Sequence, residues 1–404
     1  MSEAPDVVVV GAGMAGLRCA LELRARGLEP LVLEAADAVG GRVRTDEIDG
    51  FLVDRGFQVL LTAYPEARAI FDYPALDLRP FFPGALCRRN DRFVTLADPL
   101  RKPVAAFAGL LAPVGRPADV ARGLRLRRAA RSGSLHDLFA RPETTTAARL
   151  DELGFSQALQ HTFWRPFLRG IFLDERLETS SRLFEFVVRM FMDGDTSVPA
   201  RGMGELPRQL AARLPAGTIR LAARVASVAP DSVTLESGER IAARAVVVAT
   251  AGLVPEVEPR SWRSVTTYTY DAPDPPLRSS AIALGPSGSG PITNLHVASE
   301  IAPEVAPAGR SLISASVLGL APTGTEEVVR RQLGEWFGIA VAGWRQVQEL
   351  RIPRALPAVA PRLTSPRLDS GLFVAGDHVM GPTLNAALAT GRRAAAAVSA
   401  SLAR

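Results

Sequence analysis

Hydrophobic positions at the start of this chain form short apolar runs separated by an amphipathic stretch. Residues 7–10 are four consecutive valines, and Pro30–Leu33 form a second apolar run. Apolar runs of this length are typical of central strands in a parallel sheet. From about Met14 the spacing of apolar residues becomes helical, so the pattern predicts a β-α-β unit at the start of the chain.

Later parts of the chain separate into a helical block and a more alternating block. Apolar residues at helical spacing predict helices over Pro117–Arg131, Thr145–Leu153 and Ser156–Phe172. Alternating positions predict strands over Ser279–Leu284 and Ser311–Val317. We therefore expect a helical insert followed by a second sheet.

Glycines between the first strand and the first helix have the spacing of a dinucleotide-binding turn. Gly11, Gly13 and Gly16 fit G-x-G-x-x-G. The first permits the tight turn, the second lets the backbone approach a pyrophosphate, and the third lets helix pack closely on strand. Glu34 lies 23 residues after Gly11 and is placed to accept hydrogen bonds from an adenosine ribose. A carboxylate there does not favour NADP.

Five further segments resemble the flavin amine oxidase, phytoene desaturase and protoporphyrinogen oxidase superfamily. They are Gly40–Thr45 (GGRVRT), Asp54–Gln58 (DRGFQ), Arg201–Pro207 (RGMGELP), Val246–Ala251 (VVVATA) and Leu372–Asp377 (LFVAGD). These matches run through the whole chain. Together they are specific for the superfamily but give almost no information about the substrate.

The resemblance implies an α/β fold in which a Rossmann-like FAD-binding domain of the glutathione-reductase type carries an inserted α+β substrate domain. The FAD-binding domain is expected to be discontinuous, over residues 1–85, 200–252 and 355–404. Residues 86–199 and 253–354 would form the substrate-binding domain. Neither Cys19 nor Cys87 lies in a motif for a covalent flavin link, so we expect noncovalent FAD.

The glycine motif and the resemblance together give a set of expected cofactor-binding residues. They are Gly11, Ala12, Gly13, Met14, Ala15, Gly16, Glu34, Ala35, Gly40, Gly41, Arg42, Gly56, Phe57, Gln58, Val225, Ala251, Gly376, Asp377, Thr383 and Leu384. In the superfamily, the helix that begins after Pro382 points its positive end at the flavin pyrimidine edge. The N–H of Leu384 is then the candidate donor to flavin O2. A helix that only packs on the sheet is the alternative.

Chemistry in the superfamily is hydride transfer from a C–H bond to flavin N5, for which no acid–base pair is required. No catalytic residue is assigned, and His378 could either act near the flavin or be hydrogen-bonded in the cofactor shell. Amine oxidases of the group carry a lysine near N5, which segment Leu277–Ile282 lacks, and an aromatic cage tyrosine, which Thr383 replaces. Both departures favour a desaturase or dehydrogenase acting on an apolar, isoprenoid- or lipid-like substrate.

Three alternatives stay open at this point. The chain could be an amine or amino-acid oxidase that produces hydrogen peroxide, a flavin-binding protein without turnover, or a redox-neutral isomerase. An aromatic cluster could line an apolar pocket or form core; it comprises Phe163, Trp164, Phe167, Phe172, Phe184, Phe186, Phe191 and Met192. Arg165, Arg169 and Arg182 among them could pair with structural acids such as Glu178 or Glu185, or hold a substrate carboxylate or phosphate.

Composition narrows the remaining classes. The 404 residues are 47% hydrophobic and 22% charged with a net charge of +5, as in an ordinary globular protein, and no aromatic-interleaved arginine stripe points to nucleic acid. With four scattered histidines and two cysteines we expect no metal site. The first strand begins at residue 7 and no apolar run reaches the ~20 residues of a membrane span, so we expect a cytoplasmic protein. The oligomeric state is not predicted.

Contact with a membrane surface is a further possibility. Apolar residues 104–114 precede a group of arginines, namely Arg122, Arg125, Arg127, Arg128 and Arg131. This combination would suit a peripheral, lipid-facing helix pair. An amphipathic helix with a solvated basic face explains it equally simply and is favoured.

Overall fold

A parallel five-stranded sheet forms the centre of the computed structural model, which describes residues 4–89, 92–102, 104, 115–286, 288–338, 341–358 and 365–403. Its strands lie in the order Ile219–Arg220, Pro30–Leu33, Val7–Val10, Ala245–Val248 and Phe373–Val374. All neighbouring pairs run parallel. The predicted β-α-β unit is confirmed, and the sheet draws its strands from three separated stretches of the chain.

Both faces of this sheet are buried, which explains the uninterrupted valines. Val7 and Val9 face a core that contains helices Met14–Arg24 and Leu384–Leu402. Val8 and Val10 face a three-stranded antiparallel sheet. Its strands are Val225–Ala229, Ser232–Leu235 and Arg240–Ala242. This arrangement confirms the predicted Rossmann-like α/β fold.

A second, seven-stranded sheet lies beside the first. Its strands are ordered Arg345–Pro357, Trp262–Ala272, Ser311–Leu318, Ile292–Val297, Ile282–Leu284, Gly84–Arg89 and Arg92–Ala97. The strand predicted at Ser311–Val317 is confirmed, whereas the one predicted at Ser279–Leu284 is shortened to three residues. The Ser279 hydroxyl accepts a hydrogen bond from the Ala281 amide at 3.2 Å. Such local side-chain bonds compete with strand pairing.

The remaining elements are short. The helices are Pro65–Ile70, Tyr73–Leu76, Pro117–Arg131, Leu135–Ala140, Thr146–Glu152, Gln157–Leu159, Arg165–Phe172, Ser181–Asp193, Glu205–Ala211, Ala298–Ile301 and Thr325–Phe337. Two small antiparallel sheets pair Thr45–Ile48 with Phe51–Asp54, and Thr196–Pro199 with Leu60–Leu61 and Leu78–Pro80. Single 3₁₀ turns occupy Pro255–Val257, Pro303–Val305, Val341–Gly343 and Asp377–Val379.

One predicted helix is interrupted. The stretch predicted as a helix over Ser156–Phe172 contains a π-helical turn at Gln160–Trp164. Pro166 lies two residues after the end of that turn and has no N–H to donate to an i−4 carbonyl, which accounts for the wider turn there. The other two predicted helices of this insert are confirmed.

The aromatic cluster of the insert is core. Phe172, Phe184 and Phe186 are at most 2% exposed and belong to the same core as the helices of the first sheet. Phe163 and Phe167 stack with ring centroids 5.1 Å apart. They pack against Ala85 and Cys87, two buried residues of the strand Gly84–Arg89. The pocket interpretation of these residues is therefore not supported.

Membrane contact stays a prediction. Within the part of the chain that the structure describes, no helix combines the length and apolarity needed to cross a bilayer. Residues 105–114 of the apolar stretch lie outside the described residues. In the helix that follows, Arg122 and Arg127 pair with Asp119 and Asp98 at 3.0 and 3.5 Å, as expected of a solvated amphipathic face.

Candidate cofactor and substrate site

The glycine turn after the first strand forms an open cradle. Gly11 has a φ of +104°, and its amide donates to the Leu33 carbonyl at 2.7 Å. A Cβ on Gly16 would lie 1.9 Å from the Gly11 carbonyl oxygen, whereas a Cβ on Gly13 would meet nothing within 4 Å. Gly13 caps the helix without a side chain, so the first-turn amides from Met14 onward have no intrahelical acceptor. The open space beside Gly13 and these free amides together suit an anion.

Glu34 is fixed at the end of the neighbouring strand. Its carboxylate is buried and accepts hydrogen bonds from the amides of Ala12 at 2.7 Å and Ala36 at 2.9 Å. The Ala223 amide donates to the Glu34 carbonyl at 2.8 Å, which places the segment leading to Val225 beside Ala35 and Ala36. These hydrogen bonds therefore hold the carboxylate in one position at the carboxyl end of the strand Pro30–Leu33.

A second group of glycines, Gly40 and Gly41, packs against the glycine turn. The Gly40 amide donates to the Ala12 carbonyl at 2.9 Å, and a Cβ on Gly41 would lie 3.5 Å from the Gly13 Cα. Arg42 forms an ion pair with Asp377. The residues predicted from the glycine turn, the G-G-R motif and the closing G-D pair are thus neighbours in space.

Two further predicted residues join this group. Gln58 donates from its side-chain amide to the Arg42 carbonyl at 2.7 Å. Ala251 follows the strand that ends at Val248, and the Ala249 carbonyl would lie 3.2 Å from a Cβ on Gly11. Both therefore lie at the same edge of the parallel sheet as the glycine cradle.

The C-terminal part of the site depends on one glycine and one helix start. Gly376 has a φ of +138°, and a Cβ there would lie 2.3 Å from the His378 ring. His378 is 2% exposed with an unpartnered Nε2, and burial lowers its pKa. The long helix begins at Leu384, with the Thr383 hydroxyl accepting from the Ala386 amide at 3.0 Å. Pro382 therefore lies just outside the helix, and the Leu384 amide has no intrahelical acceptor.

The D-R-G-F-Q segment connects the cofactor side to the second sheet. Asp54 accepts hydrogen bonds from the Thr45 hydroxyl and, at 2.9 Å, from the Met203 amide of the G-M-G motif. Burial raises the pKa of Asp54 to about 6. Gly56 has a φ of +83°, and a Cβ there would lie 2.8 Å from Ile352 Cδ1 and 3.9 Å from Thr267 Oγ1. This segment therefore contacts both the G-M-G motif and the second sheet.

A cavity of about 40 Å³ lies between this segment and the second sheet. Phe57, Phe81 and Leu312 contribute apolar wall, and Thr269, Ser314 and His296 contribute polar groups. The His296 ring lies 4.6 Å from the Phe57 ring, and burial lowers the His296 pKa to about 4. The imidazole is therefore neutral at neutral pH. An apolar wall with few polar groups is typical of a small-molecule site.

The polar residues of the second sheet were not predicted as site residues. Thr267, Asn294 and Ser316 lie side by side on three neighbouring strands and are 2 to 4% exposed. Each has a side-chain oxygen without a hydrogen-bond partner. The available signal was the alternation in residues 267–271, where Thr267, Thr269 and Asp271 alternate with Tyr268 and Tyr270.

Two sequence predictions about this side of the molecule concern a strand and three arginines. The segment taken as the counterpart of the lysine strand, Leu277–Ile282, is strand only at its last residue. Arg169 pairs with Glu175 at 3.1 Å and Arg182 with Glu143 at 3.6 Å, instead of with Glu178 or Glu185. Arg165 lies 4.0 Å from Asp151. The three arginines are thus matched by structural acids, as one of the two alternatives held, although by different ones.

The fold and the site define a dinucleotide-binding protein of the two-sheet flavoprotein type. The site fits the pyrophosphate and ribose of FAD, because Gly13 leaves open space, the helix start has no side-chain cap, and hydrogen bonds hold the Glu34 carboxylate in position. The family of flavin containing amine oxidoreductases matches residues 14–399, and the chain belongs to that family. This confirms the predicted superfamily, the flavin cofactor and the oxidoreductase class. Among the described residues, no group of His, Cys, Asp or Glu side chains is placed to hold a metal ion.

Individual relatives share shorter segments. Protoporphyrinogen oxidase 2 of Arabidopsis thaliana is 39% identical over 77 residues, which are 19% of this chain and 15% of that protein. The 15-cis-phytoene desaturase of Narcissus pseudonarcissus is 39% identical over 67 residues, or 16% of this chain and 12% of the relative. The aligned segments thus cover only a small part of these relatives. Cyclohexylamine oxidase from Brevibacterium oxydans IH-35A has the same fold, with a TM-score of 0.71, 16% identity and coverage of 99% and 100%.

Proposed function

We propose that this protein is an FAD-dependent dehydrogenase or desaturase that removes a hydride from a C–H bond of a largely apolar substrate. The observation that carries this proposal is that neither second-sheet residue approached by a Cβ on Gly56 is a lysine: Ile352 Cδ1 would lie at 2.8 Å and Thr267 Oγ1 at 3.9 Å. Amine oxidases of the family use a lysine near the flavin. The only lysine of this chain, Lys102, is exposed. Rapid use of oxygen is therefore not expected.

The chain's own residues suit noncovalent binding of FAD. We assign the pyrophosphate to the first-turn amides after Gly13 and the adenosine ribose to Glu34. Arg42 and Asp377 would lie along the ribityl chain, and the Leu384 amide would donate to flavin O2. Both cysteines are buried in the core, and burial raises the pKa of each thiol to about 12, so neither is set up to attach a flavin.

On the substrate side the protein orients the reacting carbon and excludes water. Phe57 and Phe81 supply apolar contact, and the neutral His296 ring completes the wall. Asp54 holds the Thr45 and Met203 contacts that fix the D-R-G-F-Q segment. When bound, the flavin supplies the hydride acceptor.

The test is to photoreduce the flavin-loaded protein without oxygen, admit air, and follow the visible spectrum. Reoxidation over many minutes is the expected result. Reoxidation within seconds would instead favour an amine or amino-acid oxidase that makes hydrogen peroxide. A protein that never carries a flavin spectrum would contradict the whole assignment.

A pair of variants makes this test specific to Thr267. Thr267→Lys places an amine on the second sheet beside Gly56 and should accelerate reoxidation. Thr267→Met has similar length without the amine and should not. Equal reoxidation rates in both variants would show that the missing lysine does not set oxygen reactivity here.

A further inference from the structure

The second sheet is buried on both faces, but the two faces differ in chemistry. Tyr268, Ile313 and Leu295 point into an apolar core that includes Trp336 of the helix Thr325–Phe337. On the opposite face the same strands present threonine, serine, asparagine and histidine. Buried polar side chains in such numbers require hydrogen-bond partners.

Three of these side chains form a continuous row. Thr267 lies opposite Ser316, and Ser316 lies opposite Asn294, so the row crosses three adjacent strands and spans about 10 Å. Thr267 Oγ1, Ser316 Oγ and Asn294 Oδ1 are all buried without a partner. Leaving a single buried polar atom unpaired costs about 1–3 kcal/mol. Three in one row are therefore expected to serve a ligand.

The adjacent residue, Thr266, is an example of a hydroxyl with a structural role in this strand. Thr266 is fully buried and points to the other face, where its Oγ1 donates to the Gly319 carbonyl at 3.0 Å. The same oxygen accepts from the Ala321 amide at 2.9 Å. Thr267 is 2% exposed and has neither kind of bond. Burial alone thus does not explain the unpaired row.

The surroundings of the row indicate the kind of group it binds. One end lies beside Gly56 of the D-R-G-F-Q segment, and the other lies under Gly170, where a Cβ would be 2.8 Å from Asn294 Nδ2. The charged residues of the Thr267 strand are Arg263, paired with Asp174, and Asp271, paired with Arg310 and Arg345. Asp54, the charged residue that lines the cavity, accepts hydrogen bonds from Thr45 and Met203. Each of these groups already has partners, so a charged ligand group would be buried without a free counter-ion, which is unfavourable.

We propose that Thr267, Ser316 and Asn294 form a subsite for an uncharged, hydrogen-bonding group of the substrate, such as a hydroxyl or an amide. The cavity beside Phe57 is lined by Thr269, Ser314 and His296, the next residues of the same strands on this face, and would hold the apolar remainder of the molecule. This assignment rests on the proposed function, because it names the polar end of the same C–H donor. It narrows the substrate class from a hydrocarbon to an apolar molecule with one neutral polar end.

The first test measures melting temperatures of the flavin-loaded protein without any substrate. Thr267→Val keeps the shape and removes an unpaired oxygen, so the melting temperature should stay the same or rise by roughly 2 °C. Thr266→Val, the matched control, removes two hydrogen bonds and should lower it. A fall in Thr267→Val as large as that in Thr266→Val would mean a structural hydroxyl and would overturn the subsite.

The second test measures ligand preference with three molecules of one shape: benzyl alcohol, toluene and benzylamine. Each is titrated into the oxidised protein and followed by the flavin spectrum and the melting temperature. The alcohol should bind about tenfold more tightly than toluene or benzylammonium. A combined Thr267→Val and Ser316→Ala variant should reduce that preference to less than about twofold.

Three results would overturn the subsite: equal binding of alcohol and toluene, tighter binding of benzylamine, or no binding of the alcohol. No turnover occurs in these titrations, so rapid reoxidation by air would contradict the proposed function without changing them. Conversely, a failed ligand preference would leave the reoxidation result intact. The two proposals can therefore fail separately.

Discussion

The two sheets of this molecule place their polar groups in different ways. In the parallel sheet the buried strands are apolar on both faces, and the functional groups are backbone amides and one carboxylate at the strand ends. In the seven-stranded sheet the polar groups are side chains in the middle of the strands, on one buried face. The cofactor side is thus built by turns and helix starts, and the substrate side by strand register.

This difference separates what is general from what is specific. The amides after Gly13, assigned here to phosphate, would bind it whatever the substrate, since they use only backbone and the helix dipole. The row of Thr267, Ser316 and Asn294 depends on which side chains the register brings together. We therefore assign the cofactor to the first region and propose that the second selects the substrate.

The largest predicted effect tests the backbone-built side. Gly16→Ala would place a Cβ 1.9 Å from the Gly11 carbonyl oxygen, so helix and strand must separate. We expect the free energy of unfolding to fall by about 3 kcal/mol in denaturant titrations. Gly13→Ala is the matched control, since its Cβ meets no atom within 4 Å. It should fold normally but bind FAD more weakly, and normal FAD affinity would contradict the open cradle.

The next effect concerns pH on the side-chain-built side. Burial depresses the His296 pKa from 6.5 to about 4, so its contribution to stability is complete above pH 6.5 and is lost as pH falls toward 4. The unmodified protein should lose at most about 1.4 kcal/mol per pH unit relative to His296→Phe. Unfolding free energies at pH 7, 6, 5 and 4 measure this loss. His136→Gln, at a 92% exposed side chain, should follow the unmodified protein.

Removing the Glu34 carboxylate should have a smaller effect on the fold. Glu34→Ala leaves the buried Ala12 amide without its acceptor, which costs about 2 kcal/mol. FAD affinity, measured by fluorescence titration of the apoprotein, should also fall by at least about tenfold. Glu29→Ala removes an exposed carboxylate near the same strand and should leave the affinity unchanged. Unchanged affinity in Glu34→Ala would remove this residue from the cofactor site.

The smallest predicted effect is the pH dependence of stability that comes from Asp54, which has the opposite sign to that from His296. The Asp54 pKa is raised from 3.8 to about 6, so the protonated form favours folding and its stabilisation is lost as pH rises from 4 to 6. Asp54→Asn keeps an acceptor for Thr45 and Met203 and should gain about 1 kcal/mol over the unmodified protein above pH 6. That gain should vanish near pH 4. Asp46→Asn, in the facing strand, serves as the control and should show no such pH-dependent gain.

The cofactor half of the molecule could be predicted from the sequence because its determinants are local. Gly11, Gly13 and Gly16 lie within one turn, and the strands around them are continuous apolar runs. The sequence also predicted that the C-terminal motif belongs to the cofactor site. The helix there begins at Leu384, so Pro382 lies outside the helix. Each of these features depends on a few adjacent residues, whose backbone requirements a sequence displays directly.

The substrate half could be predicted only in outline. The segment Leu277–Ile282 resembles a strand by composition, but two prolines precede it and a serine turn holds most of it outside the sheet. The partners of Arg169 and Arg182 are set by tertiary packing, which the sequence does not display. Likewise, Thr267, Asn294 and Ser316 are up to 49 positions apart and meet only through sheet register.

The order of the strands also constrains how the protein is made. Phe373–Val374, which follows the other strands of this sheet in the chain, pairs directly with Ala245–Val248, and the Leu384 helix packs on the first helix. The glycine turn is thus synthesised hundreds of residues before its enclosing elements exist. Contacts between distant segments form slowly. We therefore expect newly made chains to acquire flavin only after the Leu384 helix has been synthesised, which makes this stage sensitive to the supply of FAD in the cell.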